Sequence, residues 1–214
     1  MINTCKTLLA NTKHAAELLD SDDEILEIST LWTLDGFKKN KARVQIGDRI
    51  KLPGFTVPEC EIPGEEIMKF SKKYIKSDEA IVINKTEKEI HLIFDHCLFQ
   101  SAIDFNKQSD FSKTQLAAYL QTEFLKSLNA HGVPAITCDL PSMEEVFSEN
   151  RLDFFKSGKN RIGFDFDEDF SVWYWLKDMA SAWAFCGVGS FGNASYTNAG
   201  DSHYFVRPRF VIAA

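Results

Sequence analysis

Three groups of residues in this 214-residue chain have types and spacings that could carry chemistry. Gly187-Val188-Gly189-Ser190-Phe191-Gly192 matches G-x-G-x-x-G, the turn that seats a pyrophosphate at a helix N-terminus inside a β-α-β unit. Asn193-Ala194-Ser195-Tyr196-Thr197-Asn198 follows, which is poor helix, and too little chain remains for a second strand and a ribose carboxylate. The motif reads as a glycine turn. Ser190, Asp201 and His203 stand in hydrolase order, and Val188-Gly189-Ser190-Phe191-Gly192 lacks only the first glycine of a nucleophile elbow. A triad also needs a carboxylate from a separate element to orient the imidazole and a helix behind the serine, and neither is in view.

Asp165-Phe166-Asp167-Glu168-Asp169 resembles the start of a calcium loop. Phe170 stands where such a loop wants Gly, and Leu176 where it wants Glu. A solvated strand edge is the expectation there, with an incidental calcium site at Asp165, Asp167 and Asp169 as the alternative. His14, His91, His96, His131 and His203 show no ligand spacing, and His91 and His96 read as structural. Cys5, Cys60, Cys97, Cys138 and Cys186 form no C-x-x-C pair, so they read as reduced thiols. No catalytic constellation survives, and the chain is read as a non-enzyme with no cofactor and no metal.

The elements that position these residues follow from composition and period. The chain is 44% hydrophobic, which supports a real core, and its 18 Phe imply a core of aromatic plates. A formal charge of −7 argues against a nucleic-acid partner, and no apolar run is long enough for membrane insertion. The first residues, Met1-Ile2-Asn3-Thr4-Cys5-Lys6-Thr7, have no apolar run of the signal-peptide kind, so synthesis in the cytoplasm is expected, with a phage particle as a further destination.

Residues 1–40 read as a partly helical N-terminal segment, with a break at Asp20-Ser21-Asp22-Asp23, a turn over Trp32 to Phe37 and a solvated basic connector at Lys38-Lys39-Asn40-Lys41. This segment is the expected docking arm if the chain forms a homo-oligomer or a particle. From Arg43 the texture turns to strands. Val44 to Ile50 alternates, Pro53 to Pro63 is loop, Ala80 to Ile83 and Ile90 to Phe94 form a hairpin, and Leu98 to Phe105 is a third apolar run. The main helix is expected near 112–130, with a capping box of Ser112 and Gln115 and a stop at Gly132. Ser142 with Glu145 opens a second, short helix. Val172 to Leu176, Tyr204 to Val206 and Phe210 to Ile212 read as strands, giving an α+β fold with an irregular, strand-rich C-terminal region.

The stretch from Phe185 to Val206 contains no Lys, Glu, Gln, Met or Trp. It is rich in Tyr, Ser, Gly and Asn, the residues that binding loops use because rigid aromatics give area and small polar groups adapt. Upstream, large and small residues alternate from Trp183 to Val188. Either Trp183 and Phe185 face out with Ala184, Cys186 and Val188 inward, or the reverse holds.

Trp173-Tyr174-Trp175-Leu176-Lys177-Asp178, then Val188 and Gly192, then Val206-Arg207-Pro208-Arg209-Phe210-Val211-Ile212, resemble a bacterial and phage family of unknown function whose members end in W-W-L-R…V…G…G-V-R-P-x-F-V. Leu140 to Phe147 and the Ser112 to Leu128 helix are similar to that family's central part. Phe205 and Lys177 depart from the pattern, which has Gly and Arg there. Some members are similar to the variable proteins of diversity-generating retroelements, which use a C-type-lectin-like scaffold and rewrite adenines in AAC and AAT codons. Those codons yield the Phe185 to Val206 vocabulary.

The resemblance implies a C-type-lectin-like domain over residues 41–214 with a variable region at 179–206. It also implies a protein or glycan ligand held by Trp183, Phe185, Ser190, Phe191, Asn193, Ser195, Tyr196, Asn198, Asp201, Ser202, His203 and Tyr204. Arg207 and Pro208 are expected in the scaffold, the Arg as a partner for buried carbonyls or a carboxylate and the Pro to stop pairing at an edge.

Overall fold

The computed structural model describes residues 29–62, 69–104, 108 and 110–214. The expectations for residues 8–28, Cys5, His14, Pro63 and Phe105 lie outside the described residues. Strand pairing sorts most of the strand residues into two sheets. In chain order their strands are β1 (Leu31–Thr33), β2 (Arg49–Lys51), β3 (Glu79–Lys85), β4 (Glu89–Phe94), β5 (Phe99–Gln100), β6 (Ala135–Asp139), β7 (Tyr174–Ser181), β8 (Ala184–Val188), β9 (Ala194–Asn198), β10 (Phe205–Val206) and β11 (Arg209–Ala213). The large sheet runs β1-β2-β3-β4-β11-β6, and the second runs β5-β10-β7-β8-β9. The principal helices are α1 (Leu34–Lys39), α2 (residues 115–130) and α3 (Met143–Phe147). The fold is α+β, with most of its regular structure in strands.

The expected hairpin is β3–β4, turned at Thr86-Glu87-Lys88. Its strands read as unbroken apolar runs because both faces of the large sheet are covered. Side chains alternate across a strand, so Ala80 and Val82 join the core beneath α2 while Ile81 and Ile83 join a second core with Val146, Phe154 and Phe155. Aromatic rings do fill the first core. Phe94 sits 5.5 Å from Phe55, 5.3 Å from Phe210 and 5.9 Å from Phe124, measured between ring centroids.

The main helix begins two residues later than its expected cap. Thr114 caps it, accepting from Ala117 N at 3.2 Å, and Asp104 Oδ2 takes Gln115 N at 3.0 Å. Ser112 lies instead in a short 3-10 turn capped by Asp110. The two carboxylates outcompete a Gln side chain as local acceptors. A π-helical turn at Leu120–Phe124 interrupts α2, and Gly132, at φ +85°, ends it. The Ser142–Glu145 capping box is present, with bonds of 2.7 and 3.1 Å. Glu145 also receives Arg209 Nη1 at 2.7 Å, tying α3 to the strand β11.

Elsewhere the short elements differ from expectation. The residues 29–40 are part of the large sheet and its flank: β1 pairs with β2, Thr33 caps α1 and Phe37 is buried. Where Val44 to Ile50 alternates, only Arg49–Lys51 is strand, because Asp48 gathers the chain into a turn. Its carboxylate accepts Thr30 N, Gln45 N and Trp32 Nε1 at 2.9, 3.0 and 2.8 Å. The stretch after Pro53 holds two short strands, Phe55–Val57 and Cys60–Glu61. Of the described residues in the Leu98 to Phe105 run, the strand keeps Phe99–Gln100.

Arg207 is buried and donates to Phe94 O at 2.9 Å and Ile162 O at 3.3 Å, the partnership with carbonyls expected of it. Pro208 is also buried, and it stands where the chain leaves β10 in the second sheet for β11 in the large one. The proline therefore separates two sheets and does not sit on an edge.

Candidate functional site

The last hairpin, β8–β9, carries most of the residues singled out in the sequence. Its register pairs Ala184 with Asn198, Cys186 with Tyr196 and Val188 with Ala194, which places these side chains on one face. Phe185 with Thr197 and Gly187 with Ser195 take the other. Hydrogen bonds at the two ends, Gly189 N to Asn193 O (2.8 Å) and Ala199 N to Trp183 O (3.0 Å), fix the alternation of the ladder. Ser195 and Thr197 thus bond to β8, and the backbone N–H and C=O of Tyr196 face the open side of the sheet. This edge strand, Ala-Ser-Tyr-Thr-Asn, has neither a charge nor a proline to blunt it.

The face bearing Ser195 is backed by a row of aromatic rings. Tyr204 lies 4.5 Å from Trp175 at 32°, and 5.4 Å from Trp173 at 78°. Trp175 donates Nε1–H to Ser101 O at 2.7 Å, anchoring the row in the core. Trp173 donates to Ser190 Oγ at 3.1 Å, and the Tyr204 hydroxyl shares a 3.0 Å hydrogen bond with Ser195 Oγ. Thr197 continues the line by donating to Asp201 Oδ2 at 2.9 Å, and Asp201 Oδ1 takes His203 N at 2.9 Å. Burial pushes the Tyr204 phenol above its usual range, a shift that the Ser195 bond partly offsets. A rigid strip therefore runs from Trp173 to His203.

Period-two alternation divides the expected face. Phe191 (88%), Tyr196 (71%) and Trp183 (53%) are strongly exposed, as are Asn193, Asn198 and His203. Ser190, Ser195 and Asp201 are half-buried. Phe185, Ser202 and Tyr204 are buried and cannot offer contact area; they are scaffold. Trp183 escapes because it sits in the turn between β7 and β8. Phe185, one step inside, packs edge-on to Phe111 with 6.2 Å between centroids. Both alternatives for the 183–188 alternation fail, since Phe185, Cys186 and Val188 are all buried and β8 is covered on both sides. Trp173, half-exposed, was missed. Its spacing from Trp175 puts the two indoles on one face, a signal visible in the sequence.

Ser190 is engaged with Trp173 while His203 is engaged with Asp201, so the described contacts do not join the serine to the imidazole. Asp167 pairs with Lys73, and Asp165 is buried at the start of a turn closed by Asp169 at φ +52°. Among the described residues no three His, Cys, Asp or Glu are gathered as a metal site. Cys60 and Cys97 are buried, and desolvation pushes both thiols up to about 12, which makes them poor nucleophiles. His96 Nδ1 lies 2.8 Å from Asp78 Oδ1, a structural pair of the kind expected.

Comparison of the chain with family models, with curated proteins and with solved structures gave no match.

Proposed function

We propose that this chain is a non-enzymatic recognition protein that binds a protein or glycan surface through its C-terminal hairpin. The observation that carries the reading is where exposed aromatic area falls. Of ten exposed large hydrophobic side chains among the described residues, five lie between residues 170 and 196: Phe170, Trp173, Trp183, Phe191 and Tyr196. Aromatics left in water in the same stretch of chain as the exposed Asn193, Asn198 and His203 have the composition of a binding surface. The row Trp175–Tyr204–Trp173 holds that surface rigid, which lowers the entropy lost on binding.

In this reading the architecture is C-type-lectin-like, on the strength of its short strands, one main helix and strand-rich C-terminal region. Residues 179–206 are then the region diversified by a retroelement. Sequencing the gene with its flanking DNA tests that step: a near-copy of this region that differs where the copy has adenine is the expected find, and a locus with neither copy nor reverse transcriptase overturns it. Binding itself is tested on glycan and peptide arrays. Saturable binding that Trp183→Ala and Tyr196→Ala remove together is expected; identical array profiles for the wild type and the double variant would refute the surface.

The open edge of β9 favours a second reading, an assembly module in a phage or bacterial particle. Unblunted edges pair with other strands, including those of a second copy. Sedimentation that stays monomeric at high concentration would remove it.

A further inference from the structure

A cleft of about 990 Å³ lies between the α3-side face of the large sheet and the turns at residues 153–161. The chain as a whole is acidic, at −7, yet this cleft is lined by four cations, Arg49, Lys156, Lys159 and Arg207, against two carboxylates, Asp95 and Asp153. Both carboxylates are engaged. Asp95 pairs with Arg49, which also binds Glu79 at 2.6 Å, and Asp153 pairs with Lys156 at 2.6 Å.

Arg207 is different. It is 2% exposed, stacked on Tyr174 with its guanidinium carbon 5.5 Å from the ring centroid, and its hydrogen bonds go to two backbone carbonyls through Nε and Nη1. No carboxylate among the described residues pairs with it. Carbonyl dipoles return only part of the solvation that a guanidinium loses on burial, and its planar fork matches a carboxylate or phosphate in two-point fashion. Phe154, Ile162 and Phe164 supply apolar wall beside it, and the volume suits a small organic ligand.

We propose that this cleft binds a small organic anion, with its carboxylate or phosphate against Arg207 and an aromatic or aliphatic body against Phe154, Ile162 and Phe164. Lys159 adds positive charge at the rim. The cleft uses no residue of the last hairpin and does not depend on the recognition reading; the hairpin's Gly192 packs on Gly158 and Ile162 at its border.

The test is calorimetry on the full chain with four probes: phenyl phosphate, phenylacetate, inorganic phosphate and benzyl alcohol. Saturable binding of at least one aromatic anion is expected, with inorganic phosphate and benzyl alcohol at least about tenfold weaker. Whichever aromatic anion binds more tightly identifies the acid group. Lys159→Glu should weaken it by at least about tenfold at an unchanged melting temperature, which keeps the test sound if Arg207→Lys fails to fold. No saturable binding, equal binding of inorganic phosphate or of benzyl alcohol, or aromatic-anion binding untouched by Lys159→Glu would each overturn the proposal.

Discussion

Tyr204 lies nearly face to face with Trp175, its ring centroid 4.5 Å away and its plane tilted by 32°, while its hydroxyl reaches Ser195 on the edge hairpin. One residue thus ties a loop rich in contact-type side chains to an indole that is wholly buried. The same tie explains why Gly187 must lack a side chain. A Cβ there would come within 2.6 Å of the Tyr204 ring and 2.9 Å of Tyr174 O.

Tyr204→Phe removes one hydrogen bond and keeps the stack, so it should lower stability by about 1 kcal/mol. Tyr204→Ala empties the site beside Trp175 and should lower it by about 3–5 kcal/mol. Urea denaturation of the two variants gives both numbers. Near-equal losses would mean that the ring contributes little and the hydroxyl carries the tie.

Trp183 and Phe185 stand two residues apart and should behave oppositely. Phe185→Ala removes a fully buried ring and should lower stability by about 3–5 kcal/mol. Trp183→Ala should leave the melting temperature unchanged, as should Tyr196→Ala. Thermal melts of the three variants are the check. A large loss at Trp183 would place that indole in the core and take it out of the recognition surface.

These outcomes bear on how far the sequence could be read. The β3–β4 hairpin and the Ser142–Glu145 box were legible because each is decided by neighbours in the chain. The start of α2 was not, because Asp104 reaches it from 11 residues back in the chain. The site was legible in composition and illegible in orientation. Phe185 and Tyr204 belong to the same vocabulary as Phe191 and Tyr196, yet β8 is covered on both faces and β9 is covered on one. The cleft was not visible at all, since Arg49, Lys156, Lys159 and Arg207 meet only through the pairing of distant strands.

Gly192 ends the 189–192 turn at φ +75°, a conformation that side chains other than Gly resist. A Cβ there would also meet Gly158 O at 2.8 Å, a backbone atom with little room to give. Gly192→Ala should therefore lower stability by more than the roughly 1–2 kcal/mol of the left-handed conformation alone. Gly47→Ala is the control, because Gly47 has φ +90° and nothing within 4 Å of its missing Cβ. Equal losses in the two variants would show that the approach to Gly158 is not what selects glycine.

The His96–Asp78 pair makes stability depend on pH. The hydrogen bond that His96 donates to Asp78 holds His96 above its ordinary value of 6.5, against the opposing effect of burial, with the charges of Asp78, Asp95 and Asp169 adding to it. Burial in turn raises Asp78, and its bond to His96 only partly offsets this. Both groups hold protons more tightly in the folded chain than in the unfolded one, so the folded state binds more protons and loses stability as pH rises. For His96 the contribution is complete below about 6.5 and disappears as pH climbs through its raised value. Urea midpoints measured between about pH 5 and 9 should fall with pH in the wild type. His96→Gln keeps a donor for Asp78 without a titrating ring, and its midpoints should fall less steeply. Parallel slopes for the two proteins would mean that the pair keeps one protonation state across the whole range and carries no pH dependence.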